Sequence, residues 1–214
     1  RRRFPAGQGS AAAVEELAAL KVVNELLAAG KPAREAPEAA SKLQGLITSK
    51  PVLYVANVGE GEASTGNALS HKVAEYAKAH GASSVVISAE IESQIAQLPE
   101  GERKDFLDTL GLTEPALNKL IREGYKLLGL ITYFTAGVQE VRAWTVKANS
   151  TAPIAAGAIH TDFTKGFIKA ETIAYADFIA HNGEEGAKQA GKLRMEGKEY
   201  IVKDGDVLHF RFNV

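Results

Sequence analysis

The chain has 214 residues, 45% hydrophobic and 24% charged, with a formal net charge of −1 and no cysteine. That suits one or two globular domains with an apolar core, leaves no global basic field to draw nucleic acid, and excludes disulfides and thiolate metal sites within the chain, as fits a reducing compartment. No apolar run approaches the roughly 18 residues of a membrane span, and the opening "RRRFPAGQGS" has no signal-type apolar run behind it.

An opening on three arginines without Met reads as a fragment or a processed chain. Residues 10–29 predict an amphipathic helix, with Ser10 as N-cap, apolar positions Val14, Leu17, Val22, Val23, Leu26 and Leu27, and Gly30 as the stop. Leu17, Leu20 and Leu27 read as a packing stripe first and a partner surface second, on a helical arm or hairpin. "KPAREAPEAASKLQGLITSK" is a Pro-punctuated connector with a short helix near its end. "PVLYVAN" then reads as a strand buried on both faces.

A helix follows over residues 67–80, with Leu69, Val73, Tyr76 and Ala77 on one stripe and Gly81 past its end. "SSVVIS", residues 83–88, is a second buried strand. Helices are predicted over 90–97, 101–110 and 113–128, the last with Thr113 as N-cap and Pro115 in its first turn. Alternating strands and helices imply right-handed crossovers in a parallel sheet.

From about Gly137 the pattern changes. "GLITYFTAG" and "VQEVRAWTVK" are strand-like, "TAPIAAGAIH" is a short helix, and "GFIKAETIAYADF" is a strand running into a helix. A hairpin is read at Glu196-Gly197, a tight turn at Asp204-Gly205, and a closing strand over 207–212. The expected fold is therefore α/β followed by a small α+β module.

The loop after the first strand, "NVGEGEASTGN", invites comparison with a phosphate cradle. A Walker A loop is G-x-x-x-x-G-K-[ST], its lysine and hydroxyl serving phosphate and Mg²⁺. Here Gly61 and Gly66 are followed by Asn67 and Ala68, and Glu60 and Glu62 would repel phosphate. The dinucleotide pattern fails too, because Ser64 stands where the third glycine belongs. The strand end itself is the stronger signal. P-loop GTPases read guanine with N-K-x-D at such a place; Asn57-Val58-Gly59-Glu60 keeps the Asn and an acid, with Glu for Asp. The extra methylene displaces the acceptors beyond hydrogen-bond tolerance for guanine. The Asn amide still matches an adenine edge with a donor and an acceptor. At the next strand end, "SAEIE" has the Ser88-Ala89 pair that GTPases use to close over the base with backbone N–H groups. Local structure offers another role for each: Asn57 in an Asx-turn, Ser88 as a helix cap.

With "KPVLYVANVGE", "VVISAEIE", "LGLITYFTAGVQEVRAWTV" and "AIHTDFTKGFIKAE…KDGDVLHFRFN" in view, the chain resembles the Obg-like ATPase (YchF) family from Lys50 to Val214. Its last part resembles a TGS domain, a β-grasp fold. In that family a P-loop half of the nucleotide domain is followed by a helical coiled-coil insertion, the second half with N-x-x-E, and TGS. The resemblance implies a remnant of the helical insertion over 1–48, the C-terminal part of the nucleotide-binding domain over 49–136, and TGS over 137–214. It implies that Asn57 and Val58 contact adenine, with Gly59 in the loop, Glu60 supporting it, and Ser88 and Ala89 closing the site. ATP, with GTP weaker, and Mg²⁺ are the implied ligands. The P-loop, Mg²⁺ ligands and switch segments find no match in these residues, so no catalytic residue is assigned and this chain alone is expected not to hydrolyse ATP. A cytoplasmic, ribosome-associated ATPase of the translation-factor GTPase-like class is the implied function. The alternative is a nucleotide-independent TGS module binding ribosome or rRNA; no DNA or membrane partner is expected.

Residues 137–214 hold ten Lys/Arg and ten acids, which argues against a nonspecific electrostatic clamp on RNA. Lys165, Lys169, Lys192 and Arg194 are the candidate RNA or ribosome contacts if they share a face. Phe163 and Phe167 read as core before base-stacking platforms. His160 with Asp162 lacks a nucleophile, and His71, His80, His181 and His209 show no ligand spacing, so no metal site is expected.

Overall fold

The computed structural model describes residues 11–137 and 140–213. They belong to two compact units, Arg1–Val86 and Ile87–Val214.

In the first unit, α1 (Ala11–Ala28) is helical as its apolar spacing predicts; Ser10, the expected cap, lies outside the described residues. The expected stripe is corrected. Only Ala19 and Val23, one turn apart, are buried, against a cluster that includes Ala33, Ala40, Leu43 and Leu46. Val14, Leu17, Leu20, Val22 and Leu27 stay exposed, Leu17 at 55%. The reason is length. The elements facing α1 are a three-residue 3₁₀ turn (Ala33–Glu35) and the five-residue α2 (Pro37–Ser41), too short to cover 18 residues rising about 1.5 Å each.

β1 (Leu53–Asn57), α3 (Ala68–Ala79) and β2 (Ser83–Ile87) follow, and β1 and β2 form a two-stranded sheet. Burial on both faces is also corrected: Val85 of β2 is fully buried, but Val55 of β1 is 47% exposed. On α3, Ala77 is buried while Leu69 and Tyr76 of the predicted stripe face outward.

The second unit opens with α4 (Ala89–Gln97), which buries Ile91 and Ile95 at i, i+4, then α5 (Glu100–Thr109) and α6 (Ala116–Leu127). α6 starts later than the Thr113 cap predicts. Pro115 is its N-cap residue, and a proline keeps the residue before it out of the helical region. The Ala116 N–H donates to Glu92 Oε1 at 2.7 Å, so a side chain of α4 satisfies the first turn of α6.

The remaining elements are β3 (Leu130–Ala136), β4 (Val141–Lys147), α7 (Ala152–Ile159), α8 (Thr161–Lys165), β5 (Phe167–Ala174), α9 (Tyr175–Ala180), α10 (Glu184–Gln189), β6 (Arg194–Glu196) and β7 (Asp206–Phe212). Their five strands form one mixed sheet in the order β4-β3-β7-β5-β6. Within it only β3 and β7 run parallel. β3, which the sequence assigns to the preceding half, is hydrogen-bonded between β4 and β7.

One sheet face is packed with Tyr133, Val146, Ala170, Leu208 and Phe210 against Ala152, Ala155 and Ala156 of α7. Small residues on α7 let its backbone approach the sheet, and Tyr133 donates its hydroxyl proton to the Ala155 carbonyl at 2.8 Å. This satisfies the one polar atom of a fully buried ring. Gly166 permits a second close approach: a Cβ there would overlap the Asn213 carbonyl, whose residue donates its N–H to Gly166 O at 2.9 Å.

The hairpin at Glu196-Gly197 does not form. β6 pairs with β5, and the segment beyond the turn pairs elsewhere, with Ala152 N–H donating to Tyr200 O at 2.8 Å and Val202 N–H to Ser150 O at 3.0 Å. The turn at Asp204-Gly205 does form. Asp204 Oδ1 accepts from Thr132 N–H and Gly205 N–H donates to Thr132 O, both at 2.8 Å, anchoring the turn on β3.

Candidate functional site

β1 delivers Asn57 as its last residue, and Val58 behind it is buried. Gly59 leads into a 3₁₀ turn, Glu60–Glu62. The rest of the loop is built to start α3. Asn67 is the N-cap: its Oδ1 accepts from Leu69 and Ser70 N–H at 3.0 and 2.9 Å, and Ser70 Oγ returns a bond to Asn67 N–H at 2.8 Å. Glu62 Oε2 accepts from Asn67 Nδ2 at 2.8 Å and fixes the amide's orientation. Gly66 sits at φ 73°, a conformation glycine adopts without penalty, and a Cβ there would crowd Ser70 Oγ. The loop is thus a helix-capping device. It offers no lysine, and its acid at 62 is committed to Asn67, so these residues do not fit triphosphate or its Mg²⁺. Sequence reasoning singled out Glu60 and missed this use of Glu62; the spacing to the N-cap was the available signal.

Ser88 stands at the N-cap position of α4, only 2% exposed. The capping role open to it in the sequence is corrected: its side chain makes no capping bond, and Oγ has no hydrogen-bond partner among the described residues. Its extended backbone, φ −112° and ψ 108°, and buried hydroxyl leave a polar atom whose desolvation nothing in the fold offsets. Ala89, next to it, is exposed.

Two of the four basic candidates, Lys169 and Arg194, do not share a face. Lys165 ends α8, and Lys169 lies on β5. In the β5–β6 ladder Glu171 opposes Met195 and Thr172 opposes Arg194, so strand alternation puts Lys169 and Arg194 on opposite faces. Lys192 is 3.4 Å from Asp177 Oδ1. Arg194 is 3.4 Å from Glu196 Oε1 and donates from Nη2 to the Tyr200 hydroxyl at 3.1 Å. That hydroxyl donates to Asp206 Oδ2 at 2.7 Å, which also accepts from Lys203 N–H at 2.9 Å. Desolvation, and then the hydrogen bond to the Asp206 carboxylate, push the Tyr200 phenol well above its ordinary range. Phe167 is buried, and Phe163 stacks on Phe212 at 3.7 Å, so both rings serve packing. His160 Nδ1 accepts from Asp162 N–H at 3.3 Å and caps α8.

One cluster has no precursor in the sequence analysis. Glu171, Glu184 and His209 bring a ligand atom each to within 4.8 Å of the others. They come from β5, α10 and β7; the cross-strand register pairs Glu171 with His209, and α10 brings Glu184.

The fold and the lone Ser88 hydroxyl can now be set beside known proteins. A GTP binding protein from Pyrococcus horikoshii OT3 superposes with a TM-score of 0.56 at 17% identity, covering 94% of this chain and 57% of that one. That likeness defines the fold class alone. The Schizosaccharomyces pombe YchF GTPase superposes far better, with a TM-score of 0.81 at 31% identity over 96% of this chain and 58% of that one. Residues 130–213 match the family model YchF-GTPase_C, described as a protein of unknown function (DUF933). The ribosome-binding ATPase YchF of Bacillus subtilis is 52% identical over 209 residues, 94% of this chain and 57% of that protein. The Haemophilus influenzae protein of that name is 58% identical over 175 residues, 82% of this chain and 48% of that protein. The chain belongs to the YchF family and carries its C-terminal region. It spans about half the length of these curated relatives.

Proposed function

We propose that the chain is the base-reading and ribosome-contacting portion of a cytoplasmic, ribosome-associated P-loop ATPase. In this reading residues 1–48 are the remnant of a helical insertion, 49–136 the C-terminal part of the nucleotide-binding domain, and 137–214 a TGS module with β3 laid against it. Asn57 and Val58 hold the adenine, Gly59 and Glu60 shape the loop beneath, and Ser88 and Ala89 close over the base. ATP is preferred to GTP because Glu60 stands where guanine reading needs the shorter aspartate. Phosphate and Mg²⁺ are handled by residues outside this sequence, so the 214 residues alone hydrolyse no ATP. The observation that carries the reading is Asn57 at the end of β1 with Ser88 and Ala89 at the start of α4, in a chain 52% identical to a ribosome-binding ATPase.

Titrating ATP and GTP against the full-length protein and its Asn57→Ala variant tests this. The expected result is tighter ATP than GTP binding and a loss of ATP affinity in the variant. Equal affinities, or an unchanged variant, would overturn the base-reading assignment.

The second reading, ribosome or rRNA binding by the 137–214 module without nucleotide, is favoured by the buried core that this region builds together with β3. There Lys169 lies on the opposite sheet face from Arg194, whose guanidinium is tied to Glu196 and Tyr200. Cosedimentation of the same variant with ribosomes, with and without ATP, distinguishes the two readings.

A further inference from the structure

We propose that Glu171, Glu184 and His209 form a binding site for one divalent transition-metal ion, with zinc the best match to the donor set. Glu171 and His209 are directly opposed in the antiparallel β5–β7 register, so their side chains leave the same face of the sheet. Glu184 is the first residue of α10, and its carboxylate reaches that face. The three ligand atoms lie within 4.8 Å of one another. Around one zinc ion, with bonds of about 2.0–2.2 Å, they need to draw together by roughly an ångström, which side-chain rotation supplies.

The cluster also opens onto a small cavity. The three residues border a cavity of about 10 Å³, walled otherwise by apolar residues that include Ile173, Phe178, Leu193 and Val207. That is room for about one small ion or water, inside an apolar shell of the kind that strengthens metal–ligand bonds. The outer shell is also in place. Arg211 donates to both Glu171 oxygens, from Nε at 3.3 Å and Nη2 at 3.0 Å. Each oxygen keeps a lone pair, and the guanidinium fixes the carboxylate's plane.

An imidazole nitrogen with two carboxylates favours zinc over magnesium, which takes oxygen ligands in a strict octahedron. Three protein ligands leave a fourth position for water. Bound there, the ion would tie α10 to two strands of the sheet.

The test uses full-length protein, stripped with a chelator and held without nucleotide. Zinc chloride is titrated by calorimetry and the Tm followed. Expected is one ion per chain, a raised Tm, and an affinity that falls in both His209→Ala and Glu184→Gln by more than the roughly 10–100-fold that losing an outer-shell partner costs. Both positions lie at the surface end of the cluster, so the metal-free variants should melt close to wild type. Absence of zinc binding, zinc binding unchanged in both variants, or magnesium binding as tightly as zinc would each overturn the assignment.

Discussion

α1 and the five-stranded sheet are both rich in apolar residues and use them in opposite ways. The sheet closes Tyr133, Leu208 and Phe210 against the alanines of α7, and its ring hydroxyl finds a carbonyl inside. α1 buries two residues and leaves five large apolar side chains in water. Apolar periodicity reports that a face exists; what covers it depends on a partner element of matching length. α7 has eight residues over a sheet of seven- and eight-residue strands, whereas α2 has five under an 18-residue helix.

The contrast can be broken at its strongest point. Leu208→Ala empties a site that is 2% exposed and should cost about 2–5 kcal/mol in denaturant unfolding. A value near zero would mean that the sheet core is no better packed than the arm.

A smaller effect sharpens the sheet's polar edge. Tyr200→Phe removes the donor to the Asp206 carboxylate and should cost about 1.5–3 kcal/mol at neutral pH. The pH dependence has a definite sign. The folded phenol is raised above its ordinary value by burial and by Asp206, with Glu196 adding and Arg194 opposing. Its contribution is therefore complete below the unfolded value of about 10 and lost as pH rises toward the folded one. Unfolding followed from pH 8 to 12 should show the wild type losing its advantage over Tyr200→Phe above about pH 10. Tyr133, also raised by burial, titrates in both proteins and cancels in the difference. An advantage that grew with pH would contradict the assigned hydrogen bond.

The smallest expected effect is on α1. Leu17→Ala should change stability by less than about 0.5 kcal/mol, as at other exposed positions. A loss of 2 kcal/mol or so, of core size, would show the arm packed in solution.

What the sequence revealed follows the range of its signals. Helix and strand positions were legible because period and glycine punctuation are local: α1 ends before Gly30 and α3 before Gly81, as read. The Asp204-Gly205 turn was legible for the same reason. The hairpin at Glu196-Gly197 was not, because its second arm found Ser150 and Ala152, some fifty residues away, before it could find β6. Lys169 and Arg194 looked like neighbours in composition, yet strand parity separates them. The converse holds for Glu171 and His209, 38 positions apart and opposed across the sheet. The state of Ser88 was invisible as well. Its residue type predicts a cap, and only burial without a partner distinguishes it from one.

The strand order carries a consequence in time. β7, last of the seven strands in chain order, lies in the middle of its sheet, between β3 and β5. On a chain growing from its N-terminus, β3–β4 and β5–β6 can each pair early, but nothing joins them until residues 206–212 have left the exit tunnel. A chain lacking β7 would hold two exposed inner edges rather than a slightly smaller sheet. For this fold, the sheet core closes only when β7 is in place.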